Sequence, residues 1–233
     1  MRSVIWRLAC VIVAAGTTAH AGEGRLSLIP RGIFTTVSEV FPSPTSPDLI
    51  KRGRSYSVEN FFGAGLEIRW TFTDLDLAAG ISADYLRSTA PAPVPDLPAG
   101  LSAEDGFEAI PVELTGLFTL PLSGERFSVF LGGGAGLYLG RRILLVGGVE
   151  AERLNFQTGF GIHVLGGVGY RLTDWLSITA EMKFRDVQFD AAARLPASAV
   201  TSDGRIIMLP RDTIVSRVHI DGMLVQVGTA FTL

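Results

Sequence analysis

Residues 61 to 74, FFGAGLEIRWTFTD, carry an apolar side chain at every second position: Phe62, Ala64, Leu66, Ile68, Trp70 and Phe72. Gly63, Gly65, Glu67, Arg69 and Thr71 fill the places between. A period of two over this length predicts a β-strand with two unlike faces. The same alternation recurs at 25–35, 75–86, 109–120, 127–140, 155–172, 175–189 and 217–233. Each segment has about ten residues or more, the length a tilted membrane strand needs. In the last segment the apolar parity flips: Val218 and Ile220 are even, but Met223, Val225, Val227 and Phe231 are odd. A β-bulge at Gly222 would restore one continuous apolar face. The alternative is that 217–221 already belong to an outer loop.

The connections alternate in length. Thr73-Asp74, Ser123-Gly124-Glu125 and Thr173-Asp174 are tight, whereas 39–57, 88–106, 141–154 and 190–216 are long. Up-and-down antiparallel neighbours put all tight turns at one end and all long loops at the other. The fold class expected is therefore all-β, an eight-stranded antiparallel up-and-down transmembrane β-barrel. The even strand number places both termini on the periplasmic side.

Alternation alone does not say which face looks inward, because a secreted lipocalin-like binding barrel has the same period with its apolar face inside. Composition and the N-terminus decide. Arg2 and Arg7 precede an apolar run from Leu8 to Gly16, and Ala19-His20-Ala21 is a small-x-small site. This reads as a secretory signal peptide, 1–21, cleaved before Gly22, with the barrel at 22–233. Cys10 is the only cysteine, so the mature chain has no disulfide framework. Aromatic residues collect near strand ends, with Trp70, Phe72, Tyr85, Tyr170, Trp175 and Phe231 forming the expected girdle at the membrane interfaces. These features favour the outer membrane of a Gram-negative bacterium, with outer-membrane lipid and lipopolysaccharide as partners. The net charge of −3 speaks against a nucleic-acid partner.

The other face carries Arg31, Glu67, Arg69, Asp84, Glu113, His163, Arg171, Glu181, Lys183 and Arg185. Eight strands leave a lumen just wide enough to be filled by side chains. Charges enclosed there must pair, because an unpaired one costs several kcal/mol. The expectation is a salt-bridged, closed lumen; the rival is a narrow channel for small or apolar solutes. His163 is expected to be a paired interior residue. No motif for a cofactor, a metal or a phosphate appears.

The stretch GVGYRLTDWLSITAEMKFRDV resembles a hairpin of the small OmpX-like and OmpW-like outer-membrane barrel families, through Tyr170, Arg171, Leu172, Thr173, Asp174, Leu176, Ser177, Ala180 and Glu181. The C-terminal VGTAFTL is similar to the signal by which these families address the barrel-assembly machinery, with Phe231 as its aromatic and Leu233 where phenylalanine is usual. The resemblance implies a fold more than a function. A lipid A-modifying barrel enzyme of this size would use a serine and a histidine on its outer surface. Here Ser216 and His219 are three apart, which points them to opposite faces of a regular strand and His219 into the lumen. No catalytic residue is therefore assigned.

The outer loops remain. Residues 88–106 are proline-rich and expected to be irregular. Residues 41–54 end in Lys51, Arg52 and Arg54, a cluster that suits lipopolysaccharide phosphates or plain solvent. In GLYLGRRILLVGGVEAERLNF, Gly147-Gly148 is a two-residue hairpin signal. It predicts a protruding ribbon, which either exposes an edge that recruits a surface protein by backbone pairing or merely extends and stiffens the barrel. The function expected is a non-enzymatic barrel with a structural or surface-interaction role.

Overall fold

A computed structural model of the chain describes residues 24–72, 74–91, 102–122, 124–154, 156–196, 199–202, 205–208 and 213–233. The expected signal peptide with Cys10, and the middle of the proline-rich loop, lie outside the described residues. β1 (Gly24–Phe41) is followed by one helical turn, α1 (Leu49–Arg52), then by β2 (Tyr56–Phe72), β3 (Leu77–Pro91), β4 (Ala103–Thr119) and β5 (Phe127–Val146). Two short pieces, β6 (Val149–Glu150) and β7 (Glu152–Arg153), lead to β8 (Gln157–Arg171) and β9 (Leu176–Arg194). β10 (Ala199–Ser202) and β11 (Arg205–Met208) pair with each other, and β12 (Ile214–Ile220) and β13 (Met223–Thr232) are two halves of the last long strand.

Each long strand pairs antiparallel with the next, and the last strand returns to β1, so the sheet closes into a ring of eight. The proline-rich segment is less loop than its composition suggests. β3 runs to Pro91 and β4 starts at Ala103, and the two pair as far as Pro91↔Glu104.

The strands outrun the bilayer. On β9 the outward residues are apolar from Leu176 through Ile178, Ala180 and Met182 to Phe184, with Ser177, Thr179, Glu181, Lys183 and Arg185 inside. Nine residues at about 3.3 Å, tilted by about 40°, span about 23 Å, the height of a membrane belt. Above Phe184 the two faces exchange chemistry without any change of register. Asp186, Gln188 and Asp190 now point outward, while Val187, Phe189, Ala191 and Ala193 are buried within. The exchange falls at the same level around the ring, where Tyr85 gives way to Arg87, Ile110 to Glu108 and Leu139 to Arg141. Below this level the barrel is polar inside and apolar outside; above it the arrangement is that of a water-soluble barrel.

This inversion corrects the reading of the last strand. Its even residues stay inward throughout, from Ser216, Val218 and Ile220 to Leu224 and Gln226, so Arg217, His219 and Asp221 face outward. Against β9 the register is unbroken, from Ile220↔Val187 to Met223↔Phe184. Against β1 it does shift, with Ile220 to Met223 facing only Thr36 to Ser38 between Glu39↔His219 and Thr35↔Leu224. A bulge therefore lies at Gly222, but it does not turn the apolar residues outward. Gly222 is needed there because a Cβ would stand 2.1 Å from the Val37 carbonyl oxygen of β1. The alternation that shifts is in β1 and β2, where Asn60 adopts φ 53°.

A paired substitution reads the level of the belt. Leu114, on the outer face of β4, is 64% exposed. Leu114→Arg should cost about 2–4 kcal/mol, the cost of arginine near the bilayer midplane. Gln188→Arg, outward on β9 above Phe184, should stay within about 0.5 kcal/mol. Urea unfolding of the protein refolded in lipid vesicles measures both.

Candidate functional site: the lumen and the outer rim

The inward positions of the belt meet at the centre of the barrel. Arg31 on β1 donates to Glu67 at 2.6 Å and to Asp84 at 2.8 Å. Arg69 donates to Glu67 and to Glu181, both at 2.6 Å. Lys183 donates to Glu113 at 2.7 Å, and the Tyr138 hydroxyl donates to the same carboxylate. Arg185 stands between Asp84, at 3.6 Å, and Glu113, at 4.0 Å, with its guanidinium over the Tyr138 ring at 5.9 Å. His163 Nε2 lies 2.9 Å from the Thr115 hydroxyl, and its Nδ1 lies 3.8 Å from Glu113. The cations Arg31, Arg69, Lys183 and Arg185 balance the carboxylates Glu67, Asp84, Glu113 and Glu181, and all eight are buried. Glycine makes the space, since a Cβ on Gly65 would fall 2.0 Å from Asp84 Oδ1.

Arg171 is not brought into this network. It is exposed at the periplasmic end of β8, where it lines a cup of about 270 Å³ together with Arg126 and several hydroxyls. Leu117, Phe130 and Leu165 form an apolar layer inside the same end of the barrel. The girdle aromatics all point outward. Trp175 and Phe231 stack at 6.3 Å at the periplasmic edge, while Tyr85 stands at the outer edge and is 44% exposed.

Above the network the lumen is filled by apolar side chains that alternation within the belt did not reveal. Phe61, Leu86, Phe107, Val187, Phe189, Val218, Ile220 and Leu224 form one cluster. Phe107 meets Phe61 edge-on at 5.6 Å and Phe189 at 6.3 Å. Gly140 admits the Phe189 ring, which would lie 2.1 Å from a Cβ there. Asp105 and Arg142 are also enclosed, joined by a bond from Arg142 Nε at 2.8 Å and a second from its Nη2. A smaller cluster of Leu144, Val146, Ala151, Ala193 and Leu195 accompanies them. The sequence signal for this layer was the run of apolar residues at the opposite parity, Val187 to Ala193.

At the rim, Gly147 and Gly148 take φ of 55° and 80°, as a type I′ turn requires, and Val146 pairs with Val149 across them. The ribbon is not free-edged. Its outgoing arm pairs with β4 as far as Ala103↔Val146, and its return arm, β7, pairs with Ala193 and Arg194 of β9. The unforeseen separate hairpin is β10–β11, where Ile206 and Met208 are 76% and 67% exposed.

The expected position of His219 in the lumen is also corrected. It stands on the outer surface, 3.1 Å from Asp186 and 3.8 Å from Asp221. Ser216 is buried on the opposite face, donating to the Ala191 carbonyl at 3.3 Å. Among the described residues no group of three or more His, Cys, Asp or Glu side chains is placed to hold a metal ion.

No protein-family model and no curated protein matches the sequence. Solved structures do match in fold. The outer membrane protein OprG from Pseudomonas aeruginosa aligns over 92% of this chain and 98% of its own, at 12% identity and a TM-score of 0.55. Neisserial surface protein A aligns over 87% of this chain and 96% of its own, at 15% identity and a TM-score of 0.43. Ail, the attachment invasion locus protein of Yersinia pestis, aligns over 90% and 99%, at 15% identity and a TM-score of 0.45.

Proposed function

We propose that this protein, an eight-stranded β-barrel of the Gram-negative outer membrane, is a closed, non-enzymatic barrel that holds a rigid rim above the bilayer for contact with other surfaces. The observation that carries this reading is the series of barriers in the lumen. A neutral network of eight charges fills the belt, seven of them in hydrogen-bonded ion pairs and Arg185 held 3.6 Å from Asp84, and the Phe61–Phe107–Phe189 layer sits directly above it. Ions need a continuous wet path, and a packed apolar layer excludes water. The rim is stiff because β5 and β9 extend well past the belt and the Gly147-Gly148 ribbon is tied to both of its neighbours.

The burial of Ser216 on one face and the exposure of His219 on the other support a non-catalytic reading, since a nucleophile must reach its base. The partners this reading implies are outer-membrane lipid and lipopolysaccharide around the belt, and a surface protein at the rim. The barrel-assembly machinery would read the C-terminal strand, whose Phe231 faces outward beside Trp175. Ion flow across a planar bilayer tests the proposal. The refolded barrel should insert without stepwise current, and reproducible openings would return the narrow-channel reading to first place.

A further inference from the structure

We infer that the periplasmic cup is a binding site for a small sugar acid, whose carboxylate is held between Arg126 and Arg171. The two arginines stand directly opposite each other. The pairing of β5 with β8 runs to Phe127↔Tyr170, and one step further the Arg171 amide donates to the Arg126 carbonyl at 2.8 Å. Arg126 lies two residues before Ser128 and Arg171 two after Gly169, so both keep the inward parity, and both line the cup of about 270 Å³.

Facing residues of such a pair have Cα atoms about 5.5 Å apart, and like charges placed this way repel. The four cations deeper in the lumen each have a carboxylate within 4 Å. Among the described residues Arg126 and Arg171 have none. An anion that bridges them turns one repulsion into two attractions.

Charge and wall chemistry select the anion. The network above is neutral, so the cup sets Arg126 and Arg171 against Glu125, an excess of one positive charge. Asp74, Asp76 and Asp174 in the turns at this end do not line the cup, and they leave the end as a whole without a basic field. The attraction is therefore local to the facing pair. A carboxylate neutralises the cup. A phosphate monoester, at about −1.5 to −2, would leave a negative excess over the apolar floor of Leu117 and Phe130. The planar guanidinium also matches a carboxylate at two points. Thr71, Thr119 and Ser177 on the walls both donate and accept, which suits ligand hydroxyls. The volume lies near the lower limit of ligand pockets, about 300 Å³, and fits one sugar rather than a chain. The site goes beyond the closed-barrel reading and stands whether or not the barrel conducts.

The test uses the refolded mature chain in detergent, titrated with glucuronate, glucose, acetate and glucose 6-phosphate by saturation-transfer NMR. Both guanidiniums are exposed, so glucuronate should bind at about millimolar strength, about tenfold more tightly than glucose or acetate. R126Q/R171Q should remove that preference. E125Q should tighten glucuronate binding about twofold, because it removes the one carboxylate that opposes the ligand. R87Q, an arginine at the outer end of β3, should change nothing. Glucuronate should also raise the urea midpoint of the unaltered protein and leave that of R126Q/R171Q in place. All variants should keep the different gel mobility of heated and unheated samples that marks a folded barrel. Equal binding of glucuronate and glucose would overturn the proposal, as would unaltered binding in folded R126Q/R171Q. Acetate binding as tightly as glucuronate would overturn the sugar, and glucose 6-phosphate binding more tightly would overturn the carboxylate.

Discussion

Glu113→Ala is expected to destabilise the barrel by about 3–5 kcal/mol, the cost of leaving a buried charge without its partner. Glu113 is 1% exposed and takes hydrogen bonds from Lys183, at 2.7 Å, and from Tyr138. Arg185 and His163 stand just outside hydrogen-bond range of the same carboxylate, at 4.0 and 3.8 Å. Removing it leaves an excess positive charge at the centre of the lumen, where water cannot replace it. Removing both partners should cost less. In E113Q/K183M the lumen stays neutral, and the double variant should be more stable than E113A by about 1 kcal/mol or more. Urea unfolding in lipid vesicles, followed by tryptophan fluorescence, gives both values. A cost below about 1 kcal/mol for E113A would mean that the network is hydrated and the charges are solvated individually.

Phe107→Ala is expected to cost about 3–5 kcal/mol, although Phe107 lies above the membrane. Its side chain is fully buried and meets two aromatic rings at once. Truncation leaves a cavity that eight hydrogen-bonded strands cannot collapse to fill. The outward Phe62 is a control. It is 75% exposed, and its truncation loses contact with lipid and with Phe34 but opens no hole in the interior. Phe62→Ala should therefore cost clearly less than Phe107→Ala. Equal effects would mean that the upper interior is not a packed core.

Much of this was legible in the sequence. Strand number and closure followed from eight alternating segments joined by short and long connections in strict turn. The positive-φ turn at Gly147-Gly148 was also readable, because only glycine takes two such residues without strain. What the sequence concealed was a change of solvent. A parity flip in an alternating strand has two causes: a slip of the chain, or a change in what lies outside. At Asp221-Gly222 the glycine suggested a slip, and a bulge against β1 does occur there. Yet the flip of apolar parity itself comes from the strand leaving the bilayer, and Phe184 to Val187 on β9 shows the same flip with no bulge against either neighbour. Comparing the heights of the two flips would have separated the causes, and would have placed His219 outside. Arg171 was misread for a related reason. Parity gives the side of the sheet, not the depth, and Arg171 is on the inward side but at the open end.

Conductance tests the central claim most directly. The refolded protein, inserted into a planar bilayer in concentrated potassium chloride, should give a flat current trace across the voltage range the bilayer tolerates. F107A/F189A should also stay closed, because the charge network beneath remains intact. Stable, repeated current steps from the unaltered protein, growing in proportion to salt concentration, would contradict the closed lumen and with it the account of how these residues fill the barrel.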